Sequence, residues 1–101
     1  MISFSDRVEV PAHVLTRFLT GESVLLDLEE EMYYGLDETG TRIWQVLAEA
    51  SDIDGAYSQL LGEFYVEPEE LRQDLSDLIV WFVDRGLLRI RAGDVDLTSQ
   101  S

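Results

Sequence analysis

The chain has 101 residues, 46% of them apolar, enough for one domain with a core of its own. Its 21 acidic residues face 7 basic ones, all arginine and scattered, for a net charge of −14. That balance excludes the clustered cations needed to hold a nucleic acid or an anionic membrane, and the absence of cysteine excludes disulfides, a thiol nucleophile and thiolate metal ligands.

The first residues, Met1 to Asp6, carry neither a basic n-region nor a long apolar run. No segment reaches about 18 consecutive apolar residues, so a cytoplasmic chain without a membrane span is expected. Arg7 to Val10 and Val14 to Leu19 have strand-like content broken at Pro11, which cannot donate to a ladder; together they predict a first strand. Thr20-Gly21-Glu22 reads as a turn. Ser23 to Leu28 and Met32 to Leu36 follow as two more strands, joined through Glu29-Glu30-Glu31, which lack the Asn-Gly or Asp-Gly of the tightest hairpins. A hairpin that runs straight into a helix leaves one strand edge unpartnered, and such an edge can accept an extended peptide.

The spacing turns helical at Asp37. A first helix is expected from a cap at Asp37 or Thr39 to about Glu49, burying Ile43, Trp44 and Leu47. A second follows Ser51-Asp52-Ile53-Asp54, a capping-box pattern, with Ile53, Ala56, Tyr57, Leu60, Leu61 and Phe64 on one face. A third opens at Glu67-Pro68-Glu69-Glu70, where proline suits the first position and carboxylates the positive end of the dipole. Its stripe is Leu71, Leu75, Leu78, Ile79 and Phe82, and Gly86 ends it. Trp81 lies off that stripe, either as an anchor for a partner or packed under a terminal strand over Leu87 to Ile90. Residues 1–91 thus form the expected domain, and 92–101 an expected flexible tail.

Catalytic and metal chemistry find no footing. His13 is the only histidine, too few for a triad or a zinc site, and a surface or partly covered position is expected for it. The run Glu29-Glu30-Glu31 lacks the calcium-loop pattern, and Gly35 and Gly40 belong to no phosphate-binding motif. Gly35 is expected to mark a bulge or a close backbone approach. Tyr33 and Tyr34 alternate across the pleat, so one joins the core and the other faces outward or into a groove. No catalytic residue, metal or cofactor is expected.

The element order, an N-terminal three-stranded antiparallel sheet followed by three helices, is that of an α+β winged helix-turn-helix. The spacing of Val24-Leu25-Leu26-Asp27-Leu28, Tyr33-Tyr34-x-Leu36, Gly40, Ile43-Trp44-x-x-Leu47, Leu71, Asp74 and Gly86-Leu87 resembles the PqqD family over roughly residues 7 to 90. The resemblance implies a non-catalytic chaperone, a monomer or weak homodimer. It would bind the leader of a ribosomally made precursor peptide and present it to a modifying enzyme, such as a radical-SAM protein, or to a leader peptidase or cyclase. Pyrroloquinoline quinone and lasso-peptide pathways are the family's settings. By the same resemblance the leader adds as a strand on Met32, Tyr33, Tyr34, Gly35 and Leu36, in a groove lined by Leu71, Asp74, Leu75, Leu78 and Trp81. The family's hairpin turn commonly carries glycine, where this chain has three glutamates. The alternatives are an acidic adaptor subunit of a larger enzyme and a winged-helix transcriptional regulator. Against the latter, Glu67 to Asp84 sets six carboxylates against Arg72 alone.

Overall fold

The computed structural model describes residues 2–92, so all of the expected 92–101 tail except Ala92 lies outside the described residues. Its elements are β1 (Arg7–Glu9), β2 (Val14–Phe18), β3 (Ser23–Asp27), β4 (Met32–Leu36), α1 (Glu38–Glu49), α2 (Ile53–Glu63), α3 (Pro68–Asp84) and β5 (Arg89–Arg91). Three strands form an antiparallel sheet in the order β2-β3-β4. The stretch expected as one first strand divides at the buried Pro11: Val14–Phe18 joins this sheet, while Arg7–Glu9 pairs antiparallel with β5 in a separate two-stranded ladder. The three helices and this terminal ladder give the α+β winged helix-turn-helix order.

Register follows from which face is buried. Along β3, Ser23, Leu25 and Asp27 are buried, and opposite them on β4 stand Leu36, Tyr34 and Met32. A slip of one residue would turn Leu25 out to solvent. The β3–β4 connection is held by Asp27, only 2% exposed, whose Oδ1 accepts the backbone N–H of Glu29 (3.0 Å) and Glu30 (3.1 Å). This Asx-type turn takes the place of the missing Asn-Gly signal. Glu31 then occupies the left-handed region, φ +57°, where glycine would be at ease. The expected bulge at Gly35 is absent: Val24 faces Gly35 in unbroken register, and a Cβ there would meet nothing within 4 Å.

Asp37 caps α1 by accepting the N–H of Gly40 at 2.8 Å. Gly40 sits close to the end of β4: a Cβ there would lie 3.3 Å from Asp37 Oδ1, which would have to give slightly, and in ordinary contact, 3.5 Å, with Leu36 Cβ. The cap of α2 falls at Asp52 rather than Ser51, with Asp52 Oδ1 accepting from Gly55 N (2.7 Å). The reason is tertiary: the N–H groups of Ile53 and Asp54 donate to the carbonyls of Asp6 and Phe4, so the N-terminal segment supplies the remaining acceptors. At the other end of α3, Gly86 (φ +75°) sets a Schellman motif, with Leu87 N–H on Phe82 O and Gly86 N–H on Val83 O.

The core lies between the sheet and the helices. Val14, Leu25 and Leu36 meet Ile43, Trp44, Val46 and Leu47 of α1, Ile53, Ala56 and Leu60 of α2, and Leu71, Leu75, Ile79 and Phe82 of α3, closed by Leu87 and Leu88. Tyr57, Leu61 and Phe64, read as part of the α2 stripe, are only partly buried against it. Its polar contacts are paired: Trp44 Nε1–H donates to Thr16 Oγ1 (3.0 Å), and Ser23 Oγ lies 2.8 Å from Thr41 Oγ1.

Candidate peptide-binding groove

β4 is paired with β3 on one side and, among the described residues, with no strand on the other. An edge strand left open presents a row of backbone donors and acceptors. Beside it lies a groove of about 590 Å³ formed by Gly35 and Leu36 of β4, Asp37, Gly40 and Ile43 at the start of α1, and Asp74, Asp77, Leu78 and Trp81 of α3. The sequence builds it by offset. Leu71, Leu75, Ile79 and Phe82 bury one face of α3, so Asp74, Leu78 and Trp81 fall on the flank that looks toward β4.

Tyr34 and Trp81 join the two walls. Their rings meet edge to face, centroids 5.8 Å apart at 83°, and Trp81 leans in the same way on Phe82 at 5.6 Å. The Arg85 guanidinium stacks over the Trp81 ring, 3.8 Å from its centroid, and Nη1–H donates to Trp81 O. Trp81 is therefore fixed in orientation by three contacts while staying partly exposed. Of the two tyrosines, Tyr34 turns inward and Tyr33 is 73% exposed.

Gly35, Leu36, Asp74, Leu78 and Trp81, all named from the sequence, come together on the groove. Leu71 and Leu75 do not line it; both are buried in the core behind it. Met32 and Tyr33 belong to the edge strand but lie outside the concavity. Sequence reasoning missed Asp37, Gly40, Ile43 and Asp77. Ile43 was read as core, and at 5% exposure it serves as core and groove floor together. Asp77 had a findable signal, one turn on from Asp74 on the same helix face.

His13 sits apart from the groove, its ring nitrogens 3.8 Å from Asp27 Oδ1 and 3.7 Å from Glu29 Oε2. Among the described residues no group of three or more histidine, aspartate or glutamate side chains is arranged to hold a metal ion, and no helix is long and apolar enough to cross a membrane.

Fold and site together define a small α+β winged-helix domain with an open sheet edge beside an apolar, acid-rimmed groove. The chain belongs to the PqqD family: the family profile, described as coenzyme PQQ synthesis protein D, matches residues 22–88. That match runs from the start of β3 to Leu88 and so leaves out β1 and β2. A solved structure, TbiB1 in complex with the TbiA(beta) leader peptide, is similar to this chain with a TM-score of 0.73 and 26% identity. The similarity covers 80% of this chain and 94% of that one. No curated protein sequence matches the chain significantly.

Proposed function

We propose that the protein is a non-catalytic recognition domain for the leader segment of a ribosomally synthesised precursor peptide. The leader adds as a strand to the open edge of β4, and alternate side chains enter the groove against α3. Main-chain pairing supplies affinity and the groove supplies selectivity, the two components of strand-addition recognition. The observation that carries this reading is the juxtaposition of the unpartnered β4 edge with the groove walled by Leu78 and Trp81. Membership of the PqqD family and the likeness to TbiB1, whose structure holds a leader peptide, support it. The bound leader is then presented in the cytoplasm to a separate modifying enzyme or leader peptidase.

The transcriptional reading is disfavoured by charge. Within α3, Glu69, Glu70, Asp74, Asp77 and Asp84 stand against Arg72 alone, and the Arg72 guanidinium is spent on the Phe4 ring, 4.0 Å from its centroid. Amide chemical-shift mapping with the TbiA(beta) leader peptide, the ligand in the similar structure, and with leaders of any short precursor genes found beside this one tests the proposal. Shifts should concentrate on Met32–Leu36 and on Asp74 to Trp81, and Leu78→Glu, shown folded by circular dichroism, should weaken binding. Shifts confined to α2 would sink the reading.

A further inference from the structure

We infer that the groove selects leaders by a two-part pattern: an apolar side chain and, two residues along the same strand, an arginine or lysine. This rests on the leader-binding reading above and adds the chemistry of what is bound. Three carboxylates, Asp37, Asp74 and Asp77, line a groove whose other walls are Leu36, Ile43, Leu78 and Trp81. None of the three is ion-paired among the described residues. Asp37 Oδ1 accepts from the N–H of Gly40 and Asp77 Oδ1 from Gln73 Nε2, which leaves Oδ2 of each for a ligand.

None of the chain's seven arginines lines the groove. Arg42 pairs with Glu63 and Arg91 with Glu9, Arg72 lies over Phe4 and Tyr57, and Arg85 is stacked on the Trp81 ring. A groove rimmed with uncompensated negative charge on a chain of net charge −14 favours a cationic guest and disfavours an acidic one.

Spacing sets the pattern. Asp74 and Asp77 form one end of the α3 wall, and Leu78 and Trp81, each four residues further on, form the other. Four residues of helix advance about 6 Å. Side chains on one face of a strand repeat every two residues, about 6.6–6.8 Å. On a leader strand laid along α3, successive inward side chains then meet the apolar end and the acidic end in turn, which makes the pattern a single pair.

A display library of random 16-residue peptides, selected on the full chain at low salt, tests this. Enriched peptides that perturb the β4 amides should carry the apolar-x-cation pattern, and replacing the cation with glutamine should weaken each about two- to fivefold, the range for one exposed ion pair. The exposed double substitution Asp74→Asn/Asp77→Asn should weaken the selected peptides by up to about the same two- to fivefold and select, from the same library, the apolar residue without the cation. A control of equal charge change away from the groove, Asp54→Asn/Glu69→Gln, should leave both results unchanged. Peptides that bind at β4 without a cation bias, or that bind the Asp74→Asn/Asp77→Asn protein as tightly, overturn the inference and leave the leader-binding reading standing. Enrichment of no peptide that perturbs β4 overturns both.

Discussion

The junction between β4 and α1, which shapes the groove floor, depends on a chain of two buried hydroxyls. Thr41 Oγ1 donates to Leu36 O at 3.3 Å. Its single proton is thereby used, so the 2.8 Å contact with Ser23 must be a donation from Ser23 Oγ to Thr41 Oγ1. Thr41→Val keeps the shape and removes the acceptor, leaving the hydroxyl of Ser23, 1% exposed, without a partner. An orphaned buried polar group costs about 1–3 kcal/mol, offset by roughly 0.8 kcal/mol for the added buried methyl. The expected net loss is about 0.2–2 kcal/mol, centred on about 1 kcal/mol, or about a 1 M fall in urea midpoint for a slope of roughly 1–1.5 kcal/mol/M. Ser23→Ala removes only the donor and should cost about 0.5–1.5 kcal/mol. The double substitution should be no worse than Thr41→Val alone, because nothing is then left orphaned between β3 and α1. Urea denaturation of all four proteins, with unchanged slopes, reads the coupling. A Thr41→Val protein as stable as wild type, or a double variant whose losses simply add, would refute the assignment of donor and acceptor.

Glu31→Gly should stabilise the protein by about 0.5–1 kcal/mol. The left-handed conformation costs an L-residue about 1–2 kcal/mol and glycine gives back part of that as chain entropy; thermal unfolding at a higher midpoint checks it, and a lower midpoint counts against the strain at φ +57°. Glu63 accepts two hydrogen bonds from Arg42, Nε to Oε1 and Nη2 to Oε2, both 2.7 Å, and these hold its carboxyl below the usual range while Glu63 raises Arg42. A depressed folded-state pKa means that the stabilisation is present above the ordinary carboxylate range, about 4.3, and is lost as pH falls through the folded value. The stability gap between wild type and Glu63→Gln should therefore be open at pH 7 and close in acid; a gap independent of pH would show that the pair contributes nothing through charge.

What the sequence disclosed was what local chemistry controls. The Ser23–Leu36 hairpin, the apolar face of α2 and the stop at Gly86 each rest on alternation, helical period or a glycine with positive φ, all visible within a dozen residues. The break at Pro11 was legible but the separate partners of its two sides were not, because Arg7–Glu9 pairs with Arg89–Arg91, and short strands that pair across nearly the whole chain leave no periodic trace. The cap of α2 shifted by one residue for a similar reason, since its extra acceptors are the carbonyls of Asp6 and Phe4. Asp74, Leu78 and Trp81, named from the sequence, do share the groove with Gly35 and Leu36 of β4. Leu71 and Leu75 were assigned to the same wall because helical spacing gives a stripe without saying where its border falls. Only packing decides that Leu78 sits at the border and Leu75 behind it.

The β1–β5 ladder has a consequence for how such a domain can be carried. Val8 stands directly opposite Ile90, so the two ends of the fold pass about 5 Å apart there, one step across an antiparallel pair, and residues 2–6 before β1 pack on the core and the start of α2. None of the groove-lining residues belongs to that ladder. A host protein can therefore accept the unit in a surface loop, with residues 2–6 kept as part of it. The same closure permits a circular permutant in which residue 91 is linked back to residue 2, so that the Phe4 and Asp6 carbonyls at the start of α2 are kept. New ends cut in the solvent-exposed Tyr65–Val66 segment would leave every strand and helix of the domain whole.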